Sequence, residues 1–165
     1  MFKKILKWTA ITLFIAIAVL TIFVVVRQNR TYDAPYPQVT ISTDSAVLAR
    51  GEYLVYGPAH CADCHGDQSK LDIINDGGIV PLIGGYTFKI PPGNFYVPNI
   101  TTDPETGIGN VPDSVLARSL RYGVRGDGTV LFDFMPFHNT SDDDLSAILS
   151  YLRTTKPIKH EVPKN

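Results

Sequence analysis

The chain has 165 residues, a formal net charge of −1 and 44% hydrophobic residues, which is enough for one modest domain plus a terminal segment. All sixteen acidic residues lie after residue 30, whereas five of the fifteen basic residues come before residue 31, so residues 31–165 carry a net charge of −6. This acidic balance argues against nucleic acid as a partner and favours a protein with a basic docking surface.

The first 26 residues have the composition of a membrane anchor. Residues 1–7 are basic, and residues 8–26 contain no charged side chain. As a helix, the uncharged stretch would span about 28 Å, which is enough for the hydrocarbon core of a bilayer. A cleaved signal peptide is the alternative, with a candidate site at Ala16-Ile17-Ala18, but the apolar run continues to Val26. We therefore expect an uncleaved anchor.

The charges that flank this stretch predict its orientation. Three lysines and the amino terminus precede it, while Arg27 and Arg30 follow it. This balance keeps the N-terminus cytoplasmic and places the rest of the chain on the periplasmic side of a bacterial inner membrane. The sequence divides into a basic cytoplasmic segment at 1–7, an anchor at 8–26, an extended linker at 27–43, a domain at 44–156 and a polar tail at 157–165.

Capping residues and apolar spacing predict three helices in the domain. They run from about Ser45 to Gly57 with Thr43 or Asp44 as N-cap, from Pro112 to Gly123, and from Ser141 to about Thr154. Gly51 inside the first helix costs about 1 kcal/mol relative to alanine, which indicates that another helix approaches closely there. Residues 66–110 contain repeated Gly and Pro, and only short extended pieces are expected at 85–90 and 95–97. The predicted fold class is all-α, small, with long loops.

The most specific chemical signal is the sequence Cys-Ala-Asp-Cys-His at residues 61–65. Cys-x-x-Cys-His is the attachment signature of c-type haem. Cys61 and Cys64 can each add to one vinyl group of the same porphyrin, and His65 is then held under the ring, where it can bind the iron. One alternative is a thiol–disulfide redox centre, but no βαβ pattern precedes the motif. The other is half of a zinc site, but no second ligand pair is present.

Met135 is the predicted ligand for the other face of the iron. Its thioether sulfur is soft and favours the ferrous state, and the aromatic and proline residues at 134–137 are typical of an apolar haem crevice. Core filling is the alternative role for a lone methionine. The other candidates are His138 as the reserve ligand, and His60 and His160, which are expected to be solvated.

The haem motif, the Met-Pro loop at 135–136 and the Asp-Asp-Leu…Tyr-Leu-Arg pattern of the last helix resemble a class I cytochrome c over about residues 45–156. Two further stretches, VPNITTDPETGIG at 97–109 and LRYGVRGDG at 120–128, are similar to segments of the cytochrome c subunits of membrane-bound alcohol, aldehyde and gluconate dehydrogenases. Those subunits usually carry three haem domains, whereas this chain has one haem motif. Val111 stands where that family commonly has Trp.

This resemblance implies a small cytochrome c fold with long loops around one covalent haem c. It implies that the first helix crosses the last near Tyr151 and Leu152, and that the loop at Pro98 and Asn99 lies against the haem. An ordinary turn is the alternative for that loop. Two residues are candidates either for pairing with a haem propionate or for a solvated helix face, namely Arg118 and Arg121.

The predicted function is electron transfer by a single membrane-tethered haem with His/Met ligation, as a carrier or a subunit in a bacterial respiratory chain. The protein is then an electron carrier rather than an enzyme. Expected partners are a membrane dehydrogenase, a quinol-oxidising complex or a terminal oxidase. The alternatives are a haem enzyme or sensor with an open axial position, and a membrane-tethered thiol–disulfide oxidoreductase.

Overall fold

The computed structural model describes residues 1–28, 30–91, 93–135 and 137–165. Within these ranges the chain forms six α-helices, a 3₁₀ turn at Gln68–Lys70 and one β-hairpin. The helices are α1 Phe2–Arg27, α2 Ser45–Tyr56, α3 Cys61–His65, α4 Leu71–Asn75, α5 Asp113–Tyr122 and α6 Asp142–Thr154. The strands are β1 Thr87–Ile90 and β2 Gly93–Tyr96.

Helix α1 is 26 residues long and has no buried residue. An 18-residue window in it reaches a mean hydropathy of 2.8, so α1 is long and apolar enough to cross a membrane. A signal sequence near an N-terminus would meet the same criterion. The apolar stretch predicted at 8–26 lies inside α1, which begins earlier, at Phe2.

Helices α2 and α6 cross at the centre of the domain. Asp44 caps α2, because its Oδ1 accepts a hydrogen bond from the Ala46 amide at 2.9 Å. Gly51 lies directly against the carbonyl of Ala147 in α6, and a Cβ at position 51 would come within 2.7 Å of the Tyr151 Cβ. The close approach predicted at Gly51 is therefore confirmed, and its partner is α6.

Helix α5 packs beside α6 and is joined to it by an arginine. The Nε of Arg153 donates to the Asp113 carboxylate at 2.7 Å, and its Nη1 donates to the Ile108 carbonyl at 2.7 Å. Gly123 ends α5 in the left-handed conformation, with φ 63°. The core between α2, α3, α5 and α6 is made of buried aliphatic side chains, including Leu54, Val55, Ala62, Leu82, Ala117, Leu145, Ile148, Leu149 and Leu152.

The hairpin occupies the stretch where short extended pieces were expected. Phe88 and Phe95 are directly opposite each other in its antiparallel register. The domain is therefore mainly helical, as predicted. The predicted all-α class does not account for the hairpin. The stretch from 66 to 110 also contains the 3₁₀ turn and α4, two short elements that the Gly and Pro pattern did not reveal.

Residues 31–42 form no helix or strand, yet they are hydrogen-bonded to the domain. The Tyr32 amide donates to the Gly128 carbonyl at 2.8 Å, and the Ser42 amide donates to the Ser150 Oγ at 2.9 Å. This segment lies in the range predicted as a linker. It contacts the domain at several points, through Tyr32, Tyr36, Val39, Thr40 and Ser42.

The C-terminal tail is docked as well. The carbonyl of Ile158 accepts a hydrogen bond from the Asn99 Nδ2 at 2.8 Å. The side chain of Asn165 pairs with both backbone groups of Tyr96, accepting from its amide at 2.7 Å and donating to its carbonyl at 2.8 Å. The tail therefore braces the loop after β2 and the outer edge of that strand.

Candidate haem-attachment site

Helix α3 presents the two cysteines of the attachment motif together. Cys61 and Cys64 are three positions apart, which places both side chains on the same side of this single helical turn. Both are partly exposed and neither is in a disulfide. His60, just before the helix, has φ 52° and ψ 28°, a left-handed conformation that is rare for a residue with a Cβ. This backbone turn starts α3 directly at Cys61.

His65 at the end of α3 is buried, with 8% of its surface exposed. Its ring Nδ1 lies 2.8 Å from the carbonyl oxygen of Pro98. Because a carbonyl can only accept, Nδ1 carries the proton and Nε2 keeps a free lone pair. Burial lowers the pKa of the imidazole, and the Pro98 bond partly opposes that effect. The arrangement presents a neutral imidazole whose Nε2 can bind a metal.

The loop that supplies the Pro98 carbonyl is rigidly held. Asn99 is 2% exposed, and its Oδ1 accepts from the Thr101 amide at 2.9 Å. Its Nδ2 donates to the Thr106 Oγ1 at 3.0 Å and to the Ile158 carbonyl at 2.8 Å. The haem contact of Asn99 stays a prediction, and in the described structure its side chain bonds these three groups. Its role in the described structure is to fix the loop that orients His65.

Met135 lies in a loop that packs against the hairpin through aromatic rings. The Phe134 ring stacks on the Phe88 ring with centroids 4.1 Å apart and planes at 10°. The Phe132 ring lies 4.8 Å from the Phe95 ring. These contacts join the Met135 loop to the strand that leads into Pro98. Met135 itself is partly buried, and Pro136 of the predicted crevice lies outside the described residues.

The rings of two other histidines have local partners, and the third histidine is bonded through its backbone amide. The Nδ1 of His60 lies 3.1 Å from the Asp63 carboxylate, on the surface. His138, the reserve ligand, is exposed, and its Nδ1 lies 2.7 Å from the Arg121 carbonyl. The amide of His160 donates to the Thr106 Oγ1 at 3.0 Å, so this residue belongs to the docked tail.

The two arginines predicted as propionate contacts have protein partners, and each has one buried nitrogen without a partner among the described residues. Arg118 is 4% exposed and donates to the Tyr36 Oη at 2.7 Å and to the Tyr32 carbonyl at 2.9 Å. Arg121 donates to the Asp142 carboxylate at 2.5 Å. The Nε atoms of both arginines are buried and have no acceptor among the described residues. A carboxylate such as a haem propionate would be a suitable acceptor.

The cysteine environment is unsuited to thiol–disulfide exchange. Burial, with smaller contributions from the neighbouring Cys64 and Asp63, raises the pKa of the Cys61 thiol to about 12. Burial also raises the pKa of Cys64. An attacking thiol in a redox enzyme needs a lowered pKa and access to its substrate. Two unbridged thiols beside a buried imidazole with a free Nε2 fit covalent haem better.

No protein-family model matches the chain. The chain is 36% identical to the fructose dehydrogenase cytochrome subunit of Gluconobacter japonicus over 121 residues, or 71% of this chain and 23% of that subunit. It is 36% identical over 119 residues to the cytochrome c subunit of the alcohol dehydrogenase (quinone) of Gluconobacter oxydans, covering 70% and 23% of the two chains. It is 32% identical over 111 residues to the gluconate 2-dehydrogenase cytochrome c subunit of Pantoea cypripedii, covering 66% and 23%.

The fold, the candidate attachment site and these similarities support the interpretation that the chain is a cytochrome c. More narrowly, the chain is similar to the cytochrome subunits of dehydrogenases, as the two stretches at 97–109 and 120–128 predicted. The chain spans about a quarter of the length of these relatives.

Two sets of contacts that support the site were not predicted from the sequence. These are the bracing of the Pro98 loop by Asn99 and the tail, and the contacts of Arg118 with the segment after α1. The contacts of Arg118 could have been inferred from the tyrosines among the prolines of residues 32–37, since buried arginines often pack on aromatic rings.

Proposed function

We propose that the chain is a membrane-tethered electron-transfer protein with one covalently bound haem c. Cys61 and Cys64 would hold the porphyrin covalently, and His65 and Met135 would hold the iron. The observation that carries this proposal is the buried His65 imidazole, whose Nδ1 donates to Pro98 beside two unbridged cysteines. When bound, the haem supplies a one-electron Fe(III)/Fe(II) couple.

Each residue has a distinct task in this proposal. The two cysteines prevent loss of the group, and the Pro98 bond fixes the tautomer and orientation of His65 and makes its Nε2 more basic. The soft Met135 sulfur favours the reduced state. Because His65 and Met135 would both hold the iron, no place would be left for a substrate, and the protein would carry electrons rather than act as an enzyme.

We also propose that the chain works with a dehydrogenase in a bacterial respiratory membrane. Its relatives named above are cytochrome subunits of dehydrogenases, which supports a dehydrogenase partner. A quinol-oxidising complex or a terminal oxidase would take the electrons onward. In this proposal α1 is the anchor, its N-terminus is cytoplasmic, the haem domain is periplasmic, and the net charge of −6 favours a basic docking surface.

The visible spectrum of the purified full-length chain, produced in cells that attach haem c, tests the proposal. A six-coordinate c-type haem gives a sharp reduced spectrum, and the colour should survive denaturation because the attachment is covalent. The matched control is the double variant Cys61→Ser with Cys64→Ser, which should lose covalent haem. A broad high-spin spectrum would instead favour a haem enzyme or sensor with an open position. A protein without a Soret band would overturn the proposal.

A further inference from the structure

Few residues separate α1 from the domain. Helix α1 ends at Arg27, and the amide of Tyr32 already donates to the Gly128 carbonyl at 2.8 Å. A Cβ at Gly128 would lie 3.1 Å from the Thr31 Cβ, so contact with the domain begins at Thr31. The five Cα steps from Arg27 to Tyr32 can span at most about 18 Å. The domain must therefore lie close to the end of α1.

A buried arginine clamps the segment that follows. The Nη2 of Arg118 donates to the Tyr32 carbonyl at 2.9 Å, and its Nη1 donates to the Tyr36 Oη at 2.7 Å. The guanidinium also lies over the Tyr36 ring, 4.6 Å from its centroid. Because Arg118 is only 4% exposed, releasing the segment would remove acceptors from a desolvated charge, which is costly.

The far end of the same segment is fastened to α6. The Thr40 amide donates to the Ser146 Oγ at 3.2 Å, and the Ser42 amide donates to the Ser150 Oγ at 2.9 Å. Val39 between them packs against the hydrophobic core. Residues 31–42 are thus held at both ends and in the middle, and we call them the strap.

We propose that the strap fixes the haem domain at one height and orientation on the membrane surface. This inference rests on the proposed function, in which α1 is a retained anchor. If residues 27–43 were a flexible linker, their 17 residues would have an end-to-end distance of about 20–25 Å and would let the domain tumble. The partner that suits a fixed domain is a redox protein embedded in the same membrane, with its electron-exchanging group close to the surface.

Tyr36 offers a direct test in the full-length haem-loaded chain in lipid nanodiscs. Tyr36→Ala removes both the hydrogen bond and the ring under Arg118, while Tyr36→Phe removes only the hydroxyl. Tyr53→Ala is the matched control, because Tyr53 also lies under an arginine, with the Arg50 guanidinium 5.6 Å from its ring, but on exposed α2 surface. Tyr36 is itself 46% exposed, so its replacement should leave the domain folded.

Two measurements report on the strap. Hydrogen exchange at the Tyr32 amide should be slow in the native chain, about tenfold faster in Tyr36→Ala and intermediate in Tyr36→Phe. Quenching of a dansyl headgroup lipid by the haem should be strong in the native chain and weaker in Tyr36→Ala. Tyr53→Ala should match the native chain in both measurements.

The proposal is overturned if the native Tyr32 amide exchanges like an unprotected peptide, or if Tyr36→Ala behaves like Tyr53→Ala. The failure of the proposed function would look different. A chain without haem would lack the Soret band, yet the exchange of Tyr32 would still report on the strap. Mass spectrometry of the mature chain separately establishes whether α1 is retained, and a chain that has lost α1 cannot be strapped to a membrane.

Discussion

The His65 ring and the Pro98 carbonyl meet at 2.8 Å, although 33 residues separate them in the sequence. The contact is made possible by backbone bonds on both sides of it: the Gly84 amide donates to the His65 carbonyl at 2.7 Å, and the Ile100 amide donates to the Leu82 carbonyl at 3.0 Å. The orientation of the proposed axial imidazole therefore depends on a distant loop as well as on the attachment helix.

Replacing Asn99, which holds this loop, should change the midpoint potential of the haem as well as the stability of the domain. Asn99→Ala removes three hydrogen bonds and should destabilise the domain by about 2–4 kcal/mol in urea unfolding. With the Pro98 bond loosened, the imidazole becomes less basic and Fe(III) is less stabilised, so the midpoint potential should rise. Asn110→Ala is the control, since its Nδ2 donates to the Pro104 carbonyl at the surface. Equal potentials in the two variants would contradict this role for Asn99.

The second axial ligand can be identified by its spectrum. Met135→Ala should abolish the weak long-wavelength absorption of sulfur-ligated Fe(III), leave the haem covalently attached and lower the midpoint potential, because the soft ligand is lost. Met135→His should stay low-spin at a lower potential. His138→Ala is the control and should change little. Conversion to high spin by His138→Ala, with Met135→Ala silent, would instead indicate bis-histidine ligation.

The crossing of α2 and α6 leaves no room for a side chain at Gly51. Gly51→Ala should destabilise the domain by about 1–3 kcal/mol, because the clash with the Ala147 carbonyl outweighs the gain of about 1 kcal/mol in helix propensity. Thermal unfolding measures the effect. Gly93→Ala is the matched control, since a Cβ there meets no atom of the described residues within 4 Å. A variant at Gly51 as stable as the control would show that the helices can move apart.

Acid should weaken the turn after the Pro98 loop. Hydrogen bonds from the amide and hydroxyl of Thr106, and from the Glu105 amide, lower the pKa of Asp103 below its usual value of 3.8. Stability from the charged carboxylate is present above about pH 3.8 and is lost as the pH falls through the lowered pKa. Asp103→Asn should therefore be less stable than the native chain at neutral pH. The difference in free energy of unfolding between the two should decrease below pH 4, as measured by unfolding at a series of pH values. A stability difference that stays constant below pH 4 would contradict this role for Asp103.

Docking of the acidic domain should be sensitive to salt. With a net charge of −6 in residues 31–165, association with a basic surface is steered by long-range attraction, which is screened beyond about 8 Å at physiological ionic strength. The rate of electron transfer in native membranes should fall as salt rises. A rate independent of salt would favour a permanently assembled complex.

Local chemistry made the three longest helices of the domain, α2, α5 and α6, predictable from the sequence. Asp44, one of two predicted N-caps, caps α2, and Gly123 ends α5 as predicted. The last helix was predicted to start at Ser141, which is its N-cap. The close approach of another helix at Gly51 was predictable because glycine destabilises a helix interior, so its presence there indicates a neighbour that leaves no room for a side chain. The cysteines and His65 form a local motif, so their grouping on α3 follows from spacing alone.

Long-range polar contacts could not be predicted in the same way. The bond from the Asn99 side chain to the Ile158 carbonyl joins residues 59 positions apart, and the bond from Arg118 to the Tyr32 carbonyl joins residues 86 apart. Polar, proline-rich segments such as 31–42 and 157–165 have the composition of free chain. They are ordered by specific hydrogen bonds, which leave no periodic pattern in the sequence.

The strap also bears on how quickly two proteins find each other. A domain that tumbles on a loose tether must align its haem edge at every collision, and that search in orientation lowers the fraction of productive encounters. A domain held in one pose has lost that freedom already, so a neighbour diffusing in the same bilayer meets it nearly aligned and at a high effective concentration. The same restraint makes it a poor donor to carriers that approach from other directions. Arg118 and Tyr36 would thereby set the choice of partner without touching it.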